Sequence, residues 1–128
     1  DLRSKALMSI VDEASYEITL PIYDDASKLQ NTLDEFNKMS EIVIVRETPK
    51  KRTEIEIKQY LPKKITFSTE KNNLKLNMNI KITSTGTAKP NEILEVLNDK
   101  FTANLPIEQA LICRTGLYNK GKSLIDND

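Results

Sequence analysis

Leu74, Leu76, Met78, Ile80 and Ile82 occupy every second position of one segment, with Lys75, Asn77, Asn79 and Lys81 between them. A period of two predicts a strand with one face in a core and the other in water. A shorter alternation sets Tyr16, Ile18, Leu20 and Ile22 against Glu17, Thr19 and Pro21. It predicts a second half-buried strand, which must end or run along an edge at Pro21, because proline cannot donate to a ladder. Ile42-Val43-Ile44-Val45 is a continuous β-branched run, the pattern of an interior strand. Ile55 and Ile57 alternate with Glu54, Glu56 and Lys58 in a short strand. Ile65 and Phe67 open another, which turns at Lys71-Asn72-Asn73 into the long alternating segment. Ala110-Leu111-Ile112-Cys113-Arg114 predicts the last strand.

Two segments change to helical spacing. Ala26, Leu29, Leu33 and Phe36 follow Asp24 and Asp25, which are N-cap candidates, and Ser27 with Gln30 has the spacing of a capping box. Ile93, Leu94, Leu97 and Phe101 follow Pro90, a residue suited to a helix's first turn. The order β-α-β, several antiparallel strands, then α-β predicts an α+β fold. It resembles a ferredoxin-like split βαβ sandwich with an inserted β-hairpin, a mostly antiparallel sheet and two helices. Residues 1–118 read as one domain and residues 119–128 as a flexible tail.

Composition narrows the chemistry. The 128 residues hold 19 basic and 19 acidic side chains, so no global field draws in nucleic acid or an anionic membrane, and binding of either must be local. No apolar run approaches the ~20 residues of a membrane span, and no membrane association is expected. Histidine is absent, which removes Ser-His and Cys-His pairs and histidine metal ligands. One cysteine, Cys113, allows neither an internal disulfide nor a thiolate-held cluster within this chain. It suits a reducing compartment, and a cytoplasmic location is expected. Aromatic residues make up 5% of the chain, too few for a broad base-stacking platform. No cofactor is expected. The opening Asp1-Leu2-Arg3-Ser4-Lys5 has no initiating Met and no apolar signal segment, and reads as a boundary inside a longer protein.

Gly116-Leu117-Tyr118-Asn119-Lys120-Gly121-Lys122-Ser123 satisfies the phosphate-loop pattern G-x-x-x-x-G-K-S. That chemistry needs the loop to open a helix whose amides cradle phosphate. Only Leu124 to Asp128 remain, too few for a stable helix, so the match reads as coincidence. The acidic pairs Asp12-Glu13, Asp24-Asp25 and Asp34-Glu35 read as capping and solvation rather than an acid–base pair. Cys113, inside an apolar strand, reads as a buried thiol. The basic loop is the better candidate. Arg46, Lys50, Lys51 and Arg52, with Lys63 and Lys64 approaching from the next segment, could hold a phosphate backbone or an acidic partner. The competing reading is that such cations blunt strand edges and keep the surface wet, and zero net charge favours it. Arg114 and Tyr118, leaving the last strand around Gly116, form either a contact edge or a plain strand terminus.

Four segments taken in order carry a family resemblance. They are Lys5 to Glu17, then Ile55-Glu56-Ile57-Lys58 before Tyr60-Leu61, then Gly86 to Leu94, then Arg114-Thr115-Gly116-Leu117-Tyr118. Together they resemble the bacterial radical-SAM-linked domain of unknown function, over nearly the whole chain. The resemblance implies that this is the C-terminal portion of the family domain, with a further portion preceding Asp1. It also implies a fused or separate radical-SAM protein as partner, with RNA or a ribosome-related substrate. No catalytic residue is carried over. Three readings follow: a non-catalytic accessory domain presenting RNA or another substrate; a structural module for docking or dimerisation; or part of an enzyme whose catalytic residues lie in the absent portion. A domain separated from that portion should self-associate through the surface left bare.

Overall fold

The computed structural model describes residues 11–21, 26–84, 86–119 and 122–123. In chain order the elements are β1 (Glu13–Pro21), α1 (Ala26–Lys38), β2 (Val43–Glu47), β3 (Arg52–Glu56), a 3-10 turn (Ile57–Tyr60), β4 (Thr66–Glu70), β5 (Asn73–Thr83), β6 (Gly86–Thr87), α2 (Pro90–Phe101), a second 3-10 turn (Ile107–Gln109), β7 (Leu111–Asn119) and β8 (Lys122–Ser123). β1, β4, β5 and β7 form one antiparallel sheet in the order β4-β5-β1-β7, with β8 beyond β7 and β6 paired to β5. The hairpin of β2 and β3 stands outside it as a two-stranded sheet. This is the split βαβ arrangement with an inserted hairpin, the α+β class that the periodicities predict.

Alternation along β5 does what its pattern dictates. Leu74, Leu76, Met78 and Ile80 are buried, while Asn73, Asn77 and Lys81 are exposed. β1 lies between β5 and β7 and adds Ala14, Ile18 and Leu20 to the same face, ending at Pro21 as proline requires. Leu29, Leu33 and Phe36 of α1 and Ile93, Leu94, Val96 and Leu97 of α2 complete the core. Phe36 meets Phe101 edge to face, ring centroids 5.6 Å apart, and joins the two helices. Lys58 Nζ lies 4.7 Å from the centre of the Phe36 ring and donates to the Phe36 carbonyl at 3.1 Å. It thus adds a charged donor to a carbonyl at the C-terminal end of α1 that also accepts from the Met39 N–H at 3.2 Å.

Several expectations are corrected. Val43 and Val45 do not belong to an interior strand. Among the described residues β2 pairs with β3 alone, and these two side chains are 37% and 44% exposed. Ser27 lies inside α1, so it is no N-cap, and Asp24 and Asp25 fall outside the described residues. Asp12 precedes β1 and Glu13 is its first residue, so this pair stands at a strand and caps no helix. β7 does not stop at Arg114. It continues to Asn119 across a bulge, because Ser15 faces Gly116 while the next β1 residue, Tyr16, faces Arg114. Thr115 is the extra residue. The strand therefore runs to Asn119, and Lys122 and Ser123 pair with Asn119 and Tyr118. Cys113 is exposed, because β7 covers only one of its faces.

Candidate binding site

The hairpin of β2 and β3 is the feature that core packing does not explain. Alternation along β2 turns Ile44 and Arg46 inward and Val43, Val45 and Glu47 outward. Ile44 and, across the ladder, Ile55 pack on the core cluster. Arg46 reaches α2, where its Nε and Nη2 donate to the two carboxylate oxygens of Glu92 at 2.8 and 2.7 Å. Nη2 also donates to the Thr87 carbonyl at 2.9 Å. Glu92 accepts a further bond from the Lys89 N–H at 2.9 Å, closing the first turn of α2. The Arg46 hydrogen bonds hold the Glu92 carboxyl below its usual range, against the opposing effect of burial. The same contact raises Arg46 further above its already high value. Arg46, which pairs with Thr53 one step from the Glu47–Arg52 pair beside the turn, is thus a clamp near the turn end of the hairpin, and its charge is occupied.

A second carboxylate organises the root of the hairpin. Glu56 Oε2 accepts from the N–H groups of Ile42 and Lys58 at 2.7 and 2.6 Å, and its Oε1 accepts from the Gln59 N–H at 2.9 Å. It caps the 3-10 turn and ties it to the start of β2. Burial pushes the Lys58 amine down, with Glu56 opposing.

The far end of the hairpin is basic. Thr48 closes the turn through its N–H and hydroxyl, both donating to the Lys51 carbonyl. Lys50, Lys51 and Arg52 are exposed. Arg52 lies 3.6 Å from Glu47 across the ladder, and neither Lys50 nor Lys51 has an ion-pair partner among the described residues. The other cations named from the sequence do not gather there. Lys63 and Lys64 follow the root of the hairpin and the 3-10 turn, in a loop held by Asn37, whose side-chain amide exchanges two hydrogen bonds with Ile65. Arg114 and Tyr118 lie on β7, and the bulge puts them on opposite faces of it.

The helix-free face of the sheet is polar. Lys75 bridges Glu70 at 2.9 Å and Glu17 at 3.9 Å, and Asn79 donates to Glu13 at 2.6 Å. The Ser15 hydroxyl bonds Thr115 at 2.9 Å and the Tyr118 hydroxyl at 3.2 Å. These three side chains close over Gly116. A Cβ there would lie 2.6 Å from the Tyr118 hydroxyl and 2.8 Å from Ser15 Oγ. Gly116 therefore serves a close approach within a strand, and the phosphate-loop pattern spans a β-hairpin where a nucleotide site would need a helix start. Among the described residues no group of three His, Cys, Asp or Glu could hold a metal ion, and no helix is long and apolar enough to cross a membrane.

Comparison with known proteins adds a family. The model for an uncharacterized protein conserved in bacteria (DUF2344) matches residues 1–90, and the chain belongs to that family. The match takes in β1 through β6 and stops at the first residue of α2, short of the near-complete coverage expected. No curated protein and no solved structure matches.

Proposed function

We propose that this member of an uncharacterised bacterial family is a non-catalytic accessory domain that presents RNA to a radical-SAM protein, fused or separate, in the cytoplasm. One observation carries the RNA reading. The β2–β3 hairpin is clamped to α2 by Arg46 and Glu92 close to its turn, and the turn carries Lys50 and Lys51, free of acidic partners among the described residues. A two-stranded ribbon with cations at its end can lie along a phosphate backbone without distorting the domain beneath it. The radical-SAM partner is drawn from the resemblance in the four segments quoted above, and its iron–sulfur chemistry would belong to it alone. Arg46 steadies the arm beside its turn and touches no phosphate.

Fluorescence anisotropy of the full chain with mixed-sequence single-stranded RNA tests this. Two or three phosphate contacts give a salt exponent of about 1.4–2. Lys50→Glu with Lys51→Glu should abolish binding, and binding unchanged by that pair removes the hairpin as the RNA surface. A radical-SAM partner whose turnover of RNA is the same with and without the domain refutes the presenting role.

A further inference from the structure

The root of the same hairpin carries a second surface. β2 has one partner, β3, so its other edge is open among the described residues. The Ile57 N–H bonds the Ile42 carbonyl at one end of the ladder, and the Thr48 N–H bonds the Lys51 carbonyl at the other. Antiparallel pairs alternate between bonded and non-bonded. Residues 42, 44, 46 and 48 therefore spend their backbone groups on β3, and those of Val43, Val45 and Glu47 point sideways, away from it. Along that free edge runs an open groove of about 270 Å³, walled by Val43 and Val45 on one side and by Glu95, Val96, Asp99 and Lys100 of α2 on the other.

We propose that this groove binds an extended basic peptide, which adds to β2 as a third strand. Strand addition satisfies the outward N–H and C=O groups of Val43 and Val45. The added strand's inward side chains would face α2, where Val96 is buried and Glu95 and Asp99 are exposed one turn apart, without an ion-pair partner among the described residues. Glu92 is already neutralised by Arg46, and Lys100 is the one cation on the wall. Inward residues of a strand recur about every 6.7 Å, and carboxylates one helical turn apart recur about every 6 Å. Two lysines or arginines at alternate positions of the peptide thus meet Glu95 and Asp99 in register. Its outward positions lie beside Val43 and Val45, which favours β-branched residues there. The occupant is a peptide with β-branched and basic residues in alternation, contributed by a protein partner.

The probe is the acetylated, amidated peptide Val-Lys-Val-Lys-Val, titrated into the full chain by anisotropy, with amide exchange followed by NMR. The expected result is saturable binding with slowed exchange at Val43 and Val45. Glu95→Lys with Asp99→Lys should weaken it at least tenfold. Val45→Pro removes an N–H that β3 does not use, so the hairpin keeps its ladder while the docked strand loses a bond. A peptide N-methylated on the amides that would face β2 tests the same bond with the protein unaltered. Absence of saturable binding, equal binding of Val-Glu-Val-Glu-Val, or equal binding of the N-methylated peptide overturns the proposal. Lys50→Glu with Lys51→Glu should leave the peptide affinity unchanged, and a loss there would move the site off the groove.

Discussion

Glu92→Ala is the most informative single substitution, because one carboxylate joins the hairpin to α2 and closes the helix's first turn. It removes two charged hydrogen bonds from Arg46 and one from the Lys89 N–H. The side chains of Arg46 and Glu92 are 29% and 15% exposed, so water screens the pair only in part. A hydrogen-bonded charge pair in that position contributes about 1.5–3 kcal/mol, below the 3–5 of a fully buried one. Losing the helix-start contact adds about 1 kcal/mol. The expected total is about 3 kcal/mol, a fall in Tm of about 10 °C for a domain of this size. Urea unfolding of wild type, Glu92→Ala, Arg46→Ala and the double variant separates the terms, with a coupling energy of at least about 1.5 kcal/mol expected between the two sites. Acid gives an independent check. The folded-state pKa of Glu92 is depressed, so its contribution is complete above the unfolded value of about 4.3 and is lost as pH falls through the depressed value. Strict additivity of the two substitutions would show that the pair is a solvated surface contact and would remove the clamp from the account.

Gly116→Ala drives a methyl into the Tyr118 hydroxyl and Ser15 and should cost about 1–3 kcal/mol, measured by urea unfolding. Adding Tyr118→Phe removes the nearer oxygen and should recover part of it; no recovery would place the strain elsewhere. Cys113, exposed on β7, should react with a thiol reagent in the native protein to one equivalent, and labelling only on unfolding would contradict its placement. Calorimetry with Mg-ATP should give no saturable heat, because Tyr118 and Asn119 are paired to Ser123 and Lys122 where the nucleotide would need a helix start. A micromolar affinity lost in Lys122→Ala would reverse that.

The long alternation of β5 was legible because one face is dry and the other wet, and no neighbour can change a period of two. β2 was not, for a related reason. An unbroken β-branched run says that a strand forms, but it does not say how many of its faces and edges find cover. Val43 and Val45 have the residue types of a sheet interior and stand on the open side of a two-stranded ribbon. β7 was cut short for a different cause. Gly116 reads as a stop, and the extra residue at the Thr115 bulge shifts the phase, so Ile112 and Leu117 lie on one face although they are five positions apart. Cys113 was misplaced by its neighbours, since Leu111, Ile112 and Cys113 read as an apolar run and only Ile112 packs on the core.

Charges were legible as a list and illegible as a map. Arg46 sits next to the basic turn in sequence, yet each step along a strand reverses the face, and Arg46 points inward to Glu92, 46 residues away. Lys50 and Lys51 at the turn have no ion-pair partner among the described residues, because Arg52 takes Glu47 and Arg46 takes Glu92 beside them. The acids of α2 divide by the same geometry. Ile93, Leu94 and Leu97 fix the buried stripe of the helix, and a sequence can assign Glu92, Glu95 and Asp99 only to the solvated remainder. Which of them meets a cation depends on where the hairpin lands. It lands with Arg46 on Glu92, leaving Glu95 and Asp99 without an ion-pair partner among the described residues, beside a strand edge that those residues leave open. A hairpin shifted by one residue would turn Arg46 outward and Val45 onto the helix. The clamp therefore fixes the register that aims the basic turn outward and sets the free edge of β2 along the acidic wall. Loss of Arg46 should then disturb RNA binding at the turn and peptide binding at the groove together, although it contributes no contact to either.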